Sequence, residues 1–191
     1  MPPLAELPPG YDPQKDKIEI VPYDSRWPEL YLQEEAALKK AIGSVAGLRF
    51  DHYGSTAVPG LSAKPIIDIL IRAERSYWST LIKPIEGLGY FYWASNPEQE
   101  TLYFAKGMPP FGERRTHHIH VFEPEREKEI RFRDHLRSHP ETAKAYEALK
   151  RELAGRFTHD RKGYTDAKTE FIEGILAKES GGGSSTITPN K

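Results

Sequence analysis

The stretch Ile66-Ile67-Asp68-Ile69-Leu70-Ile71 constrains this chain more than any other. A nearly continuous β-branched run, without polar alternation, belongs to a strand covered on both faces. The chain must therefore build a sheet and place layers on either side of this strand. Asp68 interrupts the run. A buried carboxylate without a partner is costly, so Asp68 is expected to be paired with Lys64 or an arginine, bound to a metal, or set at a sheet end facing a cleft.

The other strands and helices follow from local pattern. Residues 18–22 alternate briefly and read as a short strand ending at Pro22. A helix over 25–43 opens near Asp24, Ser25 and Pro28 and stops at Gly43. Residues 48–53 read as a strand stopped by Gly54-Ser55-Thr56-Ala57-Val58-Pro59-Gly60. A helix is expected over 75–87, an antiparallel pair at 89–93 and 101–105 around the loop 95–99, and a strand at 117–122. From 126 to 178 the chain turns helical, with breaks at Pro140 and 155–163. Strands first and helices last indicate an α+β fold: a mixed sheet of about five strands, helices mainly on one face, and a helical C-terminal part. Residues 1–16 hold five prolines and are expected to form a flexible arm, 17–178 the domain, and 179–191 a flexible Gly/Ser tail.

Composition narrows the chemistry. The 191 residues contain no cysteine, which excludes disulfides, thiolate metal sites and cysteine nucleophiles. The net charge of −1 excludes a bulk polycation, although residues 114–191 carry 16 basic against 13 acidic groups. No apolar run reaches the ~18 residues of a membrane span, and the N-terminus lacks a signal-peptide core, so a cytoplasmic protein without membrane contact is expected.

Two segments bear on function beside Asp68. Gly54 lets a ligand approach the backbone, and Ser55 and Thr56 offer hydroxyl and N–H groups to an anion. In Thr116-His117-His118-Ile119-His120-Val121-Phe122, His118 and His120 share one face of a strand, while Ile119 and Val121 face the core. Such a pair can hold a metal, bind phosphate or exchange protons near neutral pH. His117 falls on the apolar face as a structural residue. His52 is open between the core and the same pocket. Lys64 could neutralise a phosphate or pair with Asp68, Arg114-Arg115 suits anion binding at a cleft mouth, and Glu98 or Glu100 could add a carboxylate. Arg133 and Arg137 share a helix face, and Tyr146 and Lys150 are four apart.

A Gly-Ser turn after one strand, followed by an aspartate inside the next, resembles the nucleotidyltransferase superfamily of DNA polymerase beta. The longer segments 52–69, 116–122, 132–154 and 164–171 resemble a branch of it, the GrpB family. The resemblance implies a nucleotide or other phosphorylated small molecule held by Gly54, Ser55, Thr56, Lys64, Arg115, Arg133, Lys150 and Lys168. Asp68, His118 and His120 would be its catalytic and metal-binding residues. Active superfamily members carry a second carboxylate two residues after the first, where this chain has Leu70, and a third on a later strand, where it has histidines. Nucleotidyl or phosphoryl transfer with a divalent metal (Mg²⁺, Mn²⁺ or Zn²⁺) is the leading expectation, and histidine shifts the preference away from Mg²⁺. A non-catalytic nucleotide-binding module is the alternative, since GrpB-like domains occur fused to dephospho-CoA kinase. Cyclodipeptide synthesis from aminoacyl-tRNA, as in fungal proteins resembling the family, is another.

Overall fold

The structure, a computed structural model, describes residues 10–12, 14–93, 101–108 and 112–181. The loop 95–99, with Glu98, and Glu100 beside it lie outside the described residues. Five strands form one mixed sheet: β1 (Arg49–Tyr53), β2 (Ile67–Arg72), β3 (Tyr90–Tyr92), β4 (Leu102–Lys106) and β5 (His117–Phe122), in the order β1-β2-β5-β4-β3. The β2–β5 pair is parallel and the others are antiparallel. The apolar run is the interior strand β2, and Ile69, Leu70 and Ile71 are fully buried.

Helix α1 (Trp27–Ile42) has a proline in its first turn and ends at Gly43, whose φ of 74° suits a residue without Cβ. Helix α2 (Trp78–Glu86) continues past Pro84. Trp27, Tyr31 and Leu38 of α1 and Trp78, Leu81 and Ile85 of α2 cover Ile67, Ile69, Ile71, Ile119 and Val121 on one face of the sheet. Each such aliphatic side chain contributes about 1.5–3 kcal/mol by leaving water.

The α+β class is as the sequence indicates, but the last helices sit elsewhere than expected. α3 (Lys128–Ser138), α4 (Pro140–Arg156), α5 (Arg161–Asp166) and α6 (Thr169–Gly181) do not join α1 and α2. They build their own apolar clusters, around Phe132, Leu136 and Tyr146 and around Leu153 and Tyr164, and stand across a cleft from the opposite face. Their polar residues face that cleft, which a sheet-covering helix could not allow. Three local expectations change too. Residues 18–22 make only an isolated bridge, Val21 to Ala63, because Ile18 turns into the cluster with Leu153 and Tyr164. Residues 179–181, expected in the tail, complete α6, where Glu179 holds His135 at 2.7 Å. Tyr11 and Asp16, expected in the arm, are docked: the Tyr11 hydroxyl donates to Asp16, which also accepts from Arg161 Nε at 2.6 Å.

Candidate functional site

Strand register assembles the site. β1 pairs Tyr53 with Asp68, and β5 sets His118 beside Asp68 and His120 beside Leu70. Paired residues project to the same side, so Tyr53, Asp68, His118 and His120 face the cleft together, and Tyr103 joins them from β4. The expected convergence of Asp68 with both histidines is present. His118 Nδ1 lies 3.1 Å from Asp68 Oδ1. With the ionised carboxylate accepting, Nδ1 carries the proton and Nε2 is left as an acceptor, an assignment that rests on this bond. Nε2 is buried and has no hydrogen-bond partner among the described residues.

The Gly-Ser turn meets Asp68 directly. Gly54 adopts φ 72°, ψ −170°, and a Cβ there would lie 2.5 Å from Asp68 Oδ2. Only glycine satisfies both the backbone and the contact. Ser55 follows, within hydrogen-bonding reach of Tyr146.

The cleft occupies about 530 Å³, the range of small-molecule sites, and is lined from both sides. Gly54, Ser55, Thr56, Lys64, Asp68, Arg115, His118, His120, Arg133, Lys150 and Lys168 all border it. Aromatic side chains, Tyr53, Tyr103, Phe132, Tyr146 and Tyr164, complete the wall. A second hollow, between the start of α3 and the end of α6, is open and has no buried residue in its lining.

Bordering the cleft does not make every cation available. Arg115, expected at the cleft mouth, is a buried clamp: its Nε lies 2.9 Å from Asp16, and its Nη atoms donate to the hydroxyls of Tyr103 at 3.0 Å and Tyr11 at 3.1 Å. Arg133 donates to the His52 carbonyl at 2.9 Å and to Asp134, and Arg137 donates to the Ala57 carbonyl at 2.8 Å. One turn apart on α3, these arginines grip both ends of segment 52–57. They hold the Gly-Ser turn in place instead of offering a free cationic face.

The lysines differ. Lys64 and Lys168 have no hydrogen-bond or ion-pair partner among the described residues. Both ammonium groups lie over the ring of Tyr164, at 5.1 and 4.4 Å. Lys150 is 2% exposed; it donates to the Ser62 carbonyl and lies 5.0 Å over Tyr146. Burial lowers all three: Lys64 well below its usual range and Lys150 to about 7, each helped by repulsion from Lys168, and Lys168 to about 8. Burial raises Asp68 against the pull of Lys64, His120 and Lys168. His118 is held well below its usual value by burial and by Arg115, Lys64 and Arg161, so it is neutral near pH 7.

His52 is not part of this site. It faces Ile69's side of the sheet, stacks on Tyr31 at 4.8 Å, and lies 3.0 Å from Thr56 Oγ1. His117 is structural as expected, 2.9 Å from Thr116 and near Glu34. Sequence reasoning missed Arg161 and Tyr103. Tyr103 shares alternation with Ala105, a parity signal in β4, but nothing local marks Arg161.

A metal of the superfamily kind finds a poor donor set. Leu70, at the position of the second carboxylate, is fully buried. Glu129, the other carboxylate lining the cleft, is held by Arg126 at 2.8 Å. Among the described residues no three His, Asp or Glu side chains are placed to hold one ion.

Fold and site together define an α+β protein with a cationic, aromatic-walled cleft over one face of a mixed sheet. The chain belongs to the GrpB family, which it matches over residues 17–178. It is 44% identical over 179 residues to the UPF0157 protein PA4798 of Pseudomonas aeruginosa, covering 90% of this chain and 74% of that one. The crystal structure of GrpB from Enterococcus faecalis superposes with a TM-score of 0.72 at 30% identity, over 84% of this chain and 96% of the other. A dephospho-CoA kinase of Mycolicibacterium paratuberculosis is 30% identical over 180 residues, which cover 81% of this chain and 44% of the kinase. No helix among the described residues is long and apolar enough to cross a membrane.

Proposed function

We propose that the cleft binds a phosphorylated ligand of nucleotide size, its phosphoryl oxygens on Ser55, Lys64, Lys150 and Lys168 and its flat part among Tyr53, Tyr103 and Phe132. The observation that carries this reading is the pair of lysines, Lys64 and Lys168, set over the ring of Tyr164 with no hydrogen-bond or ion-pair partner among the described residues. Two half-buried ammonium groups side by side without hydrogen-bond or ion-pair partners among the described residues gain most from an arriving anion. Asp68 orients His118 so that neutral Nε2 can take a proton from an acceptor hydroxyl of the ligand or of a second substrate. That chemistry fits group transfer of the kind the superfamily resemblance implies, with Gly54 and Ser55 as its turn. Calorimetric titration of nucleoside mono- and diphosphates tests the reading. Lys168→Met is expected to weaken the ligand that binds best about tenfold or more, since a charged hydrogen bond is lost. Equal affinity in wild type and Lys168→Met refutes it.

A second reading, ligand binding without turnover, has support in fully buried Leu70 and in the similarity to a dephospho-CoA kinase. Single-turnover assays with labelled nucleotide separate the two: release of product requires the transferase reading.

A further inference from the structure

The cleft has more positive charge than its own carboxylates can match. Lys64, Lys150, Lys168, Arg115 and Arg161 line it. Asp16 is shared between Arg115 and Arg161, at 2.9 Å from the first and 2.6 Å from the second. Among the described residues, the charge of Asp68 acts on Lys64 and Lys168 without forming an ion pair with either. Glu129 is taken by Arg126, and Arg133 by Asp134 at 2.7 Å. Among the described residues, five basic groups against Asp16 and Asp68 leave a surplus of three positive charges once an arriving anion draws protons onto Lys64 and Lys150. In a two-metal transferase the balance runs the other way: carboxylates collect cations, and the cations collect phosphate. Here the position of the second carboxylate is filled by buried Leu70, and the first, Asp68, is bonded to His118.

Resting on the phosphorylated-ligand reading, we propose that Lys64, Lys150 and Lys168 perform the charge neutralisation that metal ions perform in nucleotidyltransferases, so that the cleft takes a diphosphate group free of metal. A metal-free diphosphate brings about three negative charges and matches the surplus. The same group carrying Mg²⁺ brings about one, and its cation would stand among ammonium groups. Asp68 then opposes the anion and serves to orient His118, whereas in a metal clamp it would be the anchor on which binding depends.

The two arrangements make opposite predictions for Asp68. Calorimetric titrations of the full chain use ADP and inorganic pyrophosphate, each with EDTA and with excess Mg²⁺, on wild type, Asp68→Asn and the double variant Lys64→Met/Lys168→Met. Binding in EDTA that weakens about tenfold with Mg²⁺, tightens about tenfold in Asp68→Asn and is lost in the double variant is expected. Binding that requires Mg²⁺, or that disappears in folded Asp68→Asn, overturns the inference and leaves a phosphate site standing. The wild-type comparison decides alone if a variant fails to fold: weakening by Mg²⁺ supports the inference, and no weakening or tightening overturns it. Failure of both probes to bind under either condition removes the phosphorylated-ligand reading, and the inference with it.

Discussion

Gly54→Ala isolates the contact on which the site is built. At φ 72° and ψ −170° the backbone occupies a region open almost only to glycine, and a side chain there costs about 1–3 kcal/mol. The new Cβ would also stand 2.5 Å from Asp68 Oδ2 and 3.2 Å from Asp68 Cβ and Cγ. The carboxylate must rotate away, which forfeits its bond to His118, a charged hydrogen bond of roughly 1.5–3 kcal/mol. The expected loss is about 3–5 kcal/mol, a fall in midpoint of about 6–20 °C for a domain of this size. Gly60 supplies the control. It also has positive φ, 78°, but a Cβ there meets nothing within 4 Å, so Gly60→Ala is expected to cost about 1 kcal/mol. Urea unfolding followed by circular dichroism measures both. In an Asp68→Ala background the oxygens are gone, so Gly54→Ala should cost about 2 kcal/mol less than in wild type. If Gly54→Ala costs no more than Gly60→Ala, or the same in both backgrounds, the close approach of turn and carboxylate is wrong.

Two pH dependences follow from buried groups. His52 is held at about 4 by burial, below its unfolded value near 6.5, so the unfolded chain binds the proton first and stability falls as pH drops between those values. The loss approaches about 3 kcal/mol, and urea midpoints at pH 7, 5.5 and 4.5 should fall less steeply in His52→Phe than in wild type. An equal fall in both proteins would show that His52 is not the buried neutral group described. Lys150, lowered to about 7, acts in the same direction in an alkaline window: from pH 7 towards 10 the unfolded chain holds the extra proton, so stability rises with pH, by up to about 1.4 kcal/mol per unit. Lys150→Met should flatten that rise, read as the difference in slope of unfolding free energy between pH 7 and 9.5; identical slopes would contradict a buried, proton-poor lysine.

Local pattern made most of the elements legible, and the faces of β2 and β5 with them. The run at 66–71 announced an interior strand, because covering both faces removes polar alternation. The two-residue spacing of His118 and His120 put them on one face, because strand side chains alternate. The residues lining the cleft were legible for a related reason: glycine, serine, aspartate and histidine at strand ends stand out from core composition. What each lining residue does was decided by tertiary structure alone. Tyr53 or His52 could have faced the cleft; the pairing of Tyr53 with Asp68 chose, and sent His52 to Tyr31. Arg115 looked free until Asp16, 99 residues earlier, reached it, and Arg133 until the His52 carbonyl came within 2.9 Å. Strand register and side-chain pairing depend on residues far apart in the chain, and local patterns contain neither. Lys64 and Lys168 keep their N–H donors for a ligand because the fold sets the ring of Tyr164 against them and, among the described residues, no hydrogen-bonding or ion-pairing group.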